Sequence, residues 1–248
     1  MSFKDHFSDH SGLYSRYRPD YPETLYRFLA GCVPSHQLAW DCATGNGQAA
    51  LGLSPYFGKV VATDASAAQI QQAVAAENID YRVVPAESSG LADTSVDLVT
   101  VAQALHWFDL DAYYIEVHRV LKPGGVLAVW SYSFLECETA VDAIIHHFYS
   151  DIVGPYWPAE RIHIEKGYRD LPFPFEEQPA PLLTMQTDWT LEQLLGYLRT
   201  WSATQRYQKA HGFDPVTKIE ADLTALWGSD REARPVSWPL TLRWGRKP

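Results

Sequence analysis

The stretch Leu38 to Gly47, Leu-Ala-Trp-Asp-Cys-Ala-Thr-Gly-Asn-Gly, constrains this chain more than any other. Leu38 to Trp40 read as a short apolar strand with Asp41 at its carboxyl end. Gly45 and Gly47 bracket a turn that opens into a helix at Gln48-Ala49-Ala50-Leu51. Glycines belong where the backbone turns sharply and a ligand approaches main-chain N–H groups, and the helix behind them presents its positive N-terminal end. Strand, glycine loop and helix together predict an α/β chain with a small ligand at this loop.

Two ligand classes use such a loop. Gly45-Asn46-Gly47-Gln48-Ala49-Ala50 satisfies G-x-G-x-x-A, the dinucleotide fingerprint, and Asp64 follows at about the spacing of a ribose-binding carboxylate. Asp41 argues the other way. A carboxylate just ahead of the first glycine suits a ligand carrying an ammonium group and repels a pyrophosphate.

At 248 residues the chain has room for one large α/β domain with an inserted subdomain, or for two small domains. With 46% apolar and 20% charged residues it can fill a core, which excludes disorder. A net charge of -10 disfavours nucleic acid as a partner. Cys32, Cys42 and Cys137 are odd in number, widely spaced and without a C-x-x-C pair, so neither a disulfide framework nor a metal site is expected. The N-terminus lacks an apolar signal core and no apolar run reaches membrane-spanning length, so the reading is a cytoplasmic protein with no membrane contact and no obligate protein partner.

Residues 1–21 are polar and aromatic, and Pro19 and Pro22 forbid a continuous helix there. This arm, with Tyr17 and Arg18, is either a solvated tail or a flap over the ligand. Glu23 to Cys32 predicts a helix. Strands are expected at Lys59–Thr63, Ile79–Val84, Val96–Ala102 and Val126–Trp130, alternating with helices that start at the Ser66 capping box and at Asp109. Such alternation implies a doubly wound parallel sheet, and an order 3-2-1-4-5 sets Gly45 and Gly47 beside Gln103 to Phe108. Beyond Tyr132 come a helix over about Glu138–Ser150, a capping box at Thr190 to Gln193, a helix over about Val216–Trp227, and strands at Leu182–Asp188 and Ser237–Arg243. Six of the nine Trp residues follow residue 150, which points to an aromatic cover over the sheet edge.

Taken together, Asp41 to Gly47, Asp64, Ala86-Glu87, Val96-Asp97-Leu98-Val99 and Val120-Leu121-Lys122-Pro123-Gly124-Gly125 resemble class I S-adenosylmethionine (SAM) methyltransferases of the type 11 group, over roughly residues 10–131. Within it, Ala102 to Asp109, Tyr17-Arg18-Pro19 and Trp201-Ser202-Ala203-Thr204 are similar to the trans-aconitate methyltransferase branch. One departure is Ala43, where most of the group has glycine.

The resemblance implies a mostly parallel, seven-stranded sheet with a helical cover subdomain. Residues 1–135 would form the SAM-binding core with its flap, and 136–248 the substrate cover plus the last two strands. It assigns the cofactor to Tyr17, Arg18, Asp41 (ammonium), Gly45 and Gly47, Asp64 (ribose), Ala86 and Glu87 (adenine) and Gln103 (methionine end). His106 is the one candidate base, or else a histidine that hydrogen-bonds and shapes its loop, and Trp107 is either a wall against the methyl group or a core residue. Trp157, Arg199, Trp201 and Arg206 are expected at the acceptor, and Arg18, Arg161, Arg199 and Arg206 are the cations able to grip a carboxylate. The expected reaction is O-methylation of a small-molecule carboxylate with S-adenosylhomocysteine as product. The alternatives are a SAM-binding protein without catalysis and a nicotinamide-dependent oxidoreductase.

Overall fold

The computed structural model describes residues 17, 19–132, 134–229 and 231–248, and Arg18, one of the expected site residues, lies outside them. Strands β1 (Leu38–Cys42), β2 (Lys59–Asp64), β3 (Ile79–Val83), β4 (Val96–Ala102) and β5 (Leu121–Tyr132) are parallel. Strand β7 (Arg234–Arg246) inserts antiparallel between β5 and β6 (Leu183–Trp189), giving the order β3-β2-β1-β4-β5-β7-β6. The sheet is thus seven-stranded and mostly parallel, and the 3-2-1-4-5 order read from the sequence holds.

Helices cover both faces, so the central strands are apolar on both sides. Ala39, Val60, Ala62, Leu98, Val126 and Ala128 share a core with α1 (Glu23–Cys32) and α2 (Gln48–Leu53). The alternate residues Trp40, Val61, Val99, Val101, Leu127 and Val129 share the other core with α4 (Leu110–Val120). The one-turn α3 (Ala67–Ile70) follows β2 behind the Ser66 cap. After β5 come α5 (Thr139–His147), α6 (Arg161–Glu165), α7 (Leu191–Arg199), α8 (Ser202–His211) and α9 (Glu220–Trp227). The α7 capping box is complete, with Thr190 and Gln193 bonding each other's backbone.

Three boundaries differ from the sequence reading. The helix expected over Glu138–Ser150 stops at His147 and continues as a π-helical turn, Phe148–Ile152. The one expected over Val216–Trp227 is a 3₁₀ turn, Pro215–Lys218, followed by α9, because Asp214 caps the short turn through the Val216 amide. Strands β5 and β7 run longer than their apolar stretches because β5 pairs with β4 back to Leu121, β7 pairs with β6 back to Arg234, and the two pair with each other from Val126–Arg246 to Tyr132–Leu240.

Packing of α1 on α2 is close enough to exclude a side chain. A Cβ on Gly52 would lie 1.9 Å from the ring of Tyr26, which is 5% exposed. Gly52→Ala is therefore expected to lower stability by about 1–3 kcal/mol, the usual cost of overpacking. A thermal melt matching the wild type would contradict that contact.

Candidate functional site

The loop after β1 is built on left-handed backbone, with φ of 54° at Ala43, 58° at Gly45 and 88° at Gly47. Glycine adopts this region freely, whereas alanine pays roughly 1–2 kcal/mol, so Ala43 stands where a glycine would be relaxed. At Gly47 space is closed as well, since a Cβ would meet the Tyr81 hydroxyl at 2.4 Å. Asp64, at the end of β2, accepts from the Gly45 amide (2.9 Å) through one carboxylate oxygen and from the Ser66 amide (2.8 Å) through the other. It thereby ties the loops after β1 and β2.

Asp41 sits beneath this loop, 0% exposed. The register that pairs Asp41 with Thr100 on β4 brings the Thr100 hydroxyl to 2.8 Å from one oxygen, and Thr44 donates to the other at 2.5 Å. Burial raises its pKa to about 6, against the opposing bonds from Thr44, Thr100 and the Ala50 backbone and with a smaller push from the Asp64 charge. Behind the loop it is thus a carboxyl that burial makes harder to ionise.

On the other side of the switch point, Gln103 ends β4 with φ of 57°. Its amide donates to the Trp130 carbonyl (2.9 Å) and its Nε2 to the Tyr132 carbonyl (2.8 Å), while its Oε1 is buried with no partner among the described residues. The next turn, Leu105–Trp107, carries His106, whose Nδ1 lies 2.9 Å from the Tyr168 hydroxyl and whose ring is 4.5 Å from that of Trp107. Burial, and then the charges of Arg161 and His163, hold the His106 pKa at about 3. A neutral imidazole of that pKa is a poor proton acceptor near pH 7. Ala86 and Glu87 follow β3, both partly exposed, with Glu87 accepting from the Asp109 amide at 3.4 Å.

The described part of the N-terminal arm lies across this edge. Gln48, in the first turn of α2, donates to the Pro19 carbonyl and to Asp20, both at 2.9 Å. The Tyr21 ring meets Trp130 edge-on at 5.4 Å, and Tyr17 abuts Gly196 of α7 so closely that a Cβ there would lie 2.7 Å from its ring.

Among the expected acceptor residues, Trp157 and Trp201 do meet, 5.6 Å apart, in an aromatic cluster with Tyr149, Phe134 and Tyr197. The arginines divide. Arg199 is committed to Asp214 (2.6 Å) and Glu220 (3.2 Å), and Arg206 donates to the Tyr156 carbonyl at 3.4 Å. Arg161 is 4.8 Å over the Trp157 ring and donates through Nε to Tyr149 at 3.1 Å. Among the described residues it has no carboxylate at salt-bridge distance, and its charge is felt at both His106 and Tyr168. Tyr149 and Tyr168 have no sequence signal of their own and emerge only from the fold.

Among the described residues no group of His, Cys, Asp and Glu could hold a metal ion, and no helix is long and apolar enough to cross a membrane.

Residues 40–129 match the family model described as a methyltransferase domain. A Dictyostelium discoideum protein named "putative methyltransferase" is 33% identical over 252 residues, which span 99% of this chain and 96% of that protein. A malonyl-[acyl-carrier protein] O-methyltransferase of Dechloromonas aromatica is 36% identical over 104 residues, 42% of this chain and 38% of that protein. The structure of a "putative type II methyltransferase" from Anaeromyxobacter dehalogenans is similar with a TM-score of 0.88 at 43% identity, covering 93% of this chain and 98% of that one.

Proposed function

The chain belongs to the class I SAM-dependent methyltransferases, and from that premise we propose that it methylates an oxygen of a small-molecule carboxylate. Membership removes the nicotinamide-dependent alternative and makes the chain an enzyme.

The donor set fits the cofactor. Left-handed backbone at Gly45 and Gly47 bares the main chain of the loop, and Gln103 brings a buried Oε1 that has no partner among the described residues. Asp64 would accept the ribose hydroxyls, Glu87 and the Ala86 backbone would face the adenine, and Asp41 and Gln103 would serve the methionine end. Bound SAM supplies a methyl carbon made electrophilic by its sulfonium. A carboxylate nucleophile is already ionised at neutral pH, so the protein has only to align it and keep water out.

Arg161 is the observation that carries the acceptor class. A guanidinium held against Trp157 and Tyr149, beside His106 and without a carboxylate partner among the described residues, offers a bidentate grip to a ligand's carboxylate. The Trp157–Trp201–Tyr149 cluster would wall the remainder of the acceptor. Two likenesses support the reading: Ala102 to Asp109 resembles the trans-aconitate branch, and the Dechloromonas aromatica relative is by name an O-methyltransferase of a malonyl group, which carries a carboxylate.

Incubation with methyl-labelled SAM and a panel of small carboxylic acids, phenols and amines tests it. Label in a base-labile ester is the expected outcome; label only in base-stable amines or ethers would overturn the carboxylate assignment.

Asp41 adds a pH dependence. An ammonium ligand favours its ionised form, so SAM binding should expel a proton below about pH 6, and affinity should rise with pH by up to about tenfold per unit before levelling above it. The stability of the ligand-free protein should follow the opposite trend. A raised native pKa means that the folded state binds more protons than the unfolded one between about pH 4 and 6, so stability falls as pH rises through that window. Calorimetry in buffers of different ionisation enthalpy reads the proton release, and an affinity flat from about pH 5 to 8 would remove Asp41 from the ammonium site.

A further inference from the structure

Tyr168 has no place in the mechanism above, yet the fold spends much on it. It is 1% exposed and held at φ of 60°, next to Gly167 at 58°, a conformation that a bulky side chain adopts only under constraint. Its amide donates to the His163 carbonyl at 2.7 Å. Arg243 of β7, itself paired with Glu177, donates to the Tyr168 carbonyl and to that of Leu171. All this places one phenol against one imidazole, the rings 5.7 Å apart and nearly parallel.

Hydrogen-bond bookkeeping then fixes the direction of the contact. The phenol oxygen already faces the backbone N–H of Leu105, and burial drives the phenol pKa far up, so the group stays protonated. Among the described residues its buried proton has one acceptor, Nδ1 of His106, at 2.9 Å. Were Nδ1 to carry the imidazole proton instead, the phenol O–H would be buried without an acceptor, at the full desolvation cost of that group.

We propose that Tyr168 is a positioning residue that holds His106 in the Nε2–H tautomer, so that His106 serves the acceptor as a neutral hydrogen-bond donor and takes no proton. The chemistry agrees: a carboxylate oxygen bonds to the methyl carbon, the sulfur–carbon bond breaks, its electron pair stays on sulfur, and no proton moves. The charged and titratable groups facing His106 are Arg161, His163 and Tyr168, and the Arg161 guanidinium disfavours a second proton on the ring. The donor role rests on the carboxylate reading, whereas the tautomer does not.

Long-range ¹H–¹⁵N spectra of the ligand-free protein separate the two. The expected pattern is an unprotonated Nδ1 and a protonated Nε2 for His106, with Tyr168→Phe shifting the balance toward the other tautomer. A protonated Nδ1 in the wild type overturns the proposal. Turnover supplies an independent check if Tyr168→Phe does not fold. The glutamine amide can place an N–H near the position of Nε2–H, so His106→Gln should exceed His106→Ala by about tenfold in kcat/KM, the worth of one hydrogen bond. Equal losses in the two variants would overturn the donor role. Loss of carboxylate methylation altogether, with the spectra as expected, would instead count against the acceptor assignment.

Discussion

Replacing Asp64 with alanine is expected to weaken SAM binding about a hundredfold while leaving the chain folded. Hydrogen bonds to a charged acceptor are each worth about 1.5–3 kcal/mol, and a ribose offers two hydroxyl donors to one carboxylate. The same change frees the Gly45 and Ser66 amides, which Asp64 now holds at 2.9 and 2.8 Å, so part of the loss is a slackened glycine loop. Asp64→Asn keeps a neutral acceptor and should lose only about tenfold. Asp64 is partly exposed at the tip of β2 and belongs to neither apolar core, which is why the fold should survive. Equilibrium dialysis with labelled SAM, alongside circular dichroism, reads both halves; an unchanged affinity would move the ribose elsewhere.

Arg161→Met is expected to raise KM for the acceptor by about a hundredfold with the affinity for SAM unchanged. The substitution keeps an apolar chain against Trp157 and removes a bidentate, charge-assisted contact of about 2–3 kcal/mol. Lysine should recover only part of it, because an ammonium lacks the planar fork. Arg199→Gln is the contrasting variant. It breaks the Asp214 and Glu220 pairs at the end of α7, so its effect should fall on thermal stability and not on KM. A KM unmoved by Arg161→Met would remove this arginine from the acceptor.

What could be read from the sequence follows the range of the interaction that decides it. The β1 strand, the glycine loop and the helix behind it are set by neighbours in the chain, and the alternation of strands with helices carried the sheet order with it. The Thr190–Gln193 box spans four residues and is found as read. Distant pairings were not legible. Arg199, an expected acceptor ligand, meets Asp214 and Glu220 only because the cover folds back on α7. Asp41 reads from the sequence only as a strand-end carboxylate suited to an ammonium, and its burial against Thr100 comes from the β1–β4 register. His106 reads as a base because imidazole usually titrates near neutrality. Its burial, with Arg161 and His163 close by, removes that property, and those residues lie more than fifty positions further along the chain.

The central claim is that the cleft where the β1, β2 and β4 loops meet takes SAM through Asp41 and Asp64. Isothermal calorimetry of the purified protein tests this most directly, with SAM and NADH titrated in turn. Micromolar binding of SAM, with no heat from NADH, is the result expected. Binding of NADH without binding of SAM would contradict the assignment of every residue from Asp41 onward.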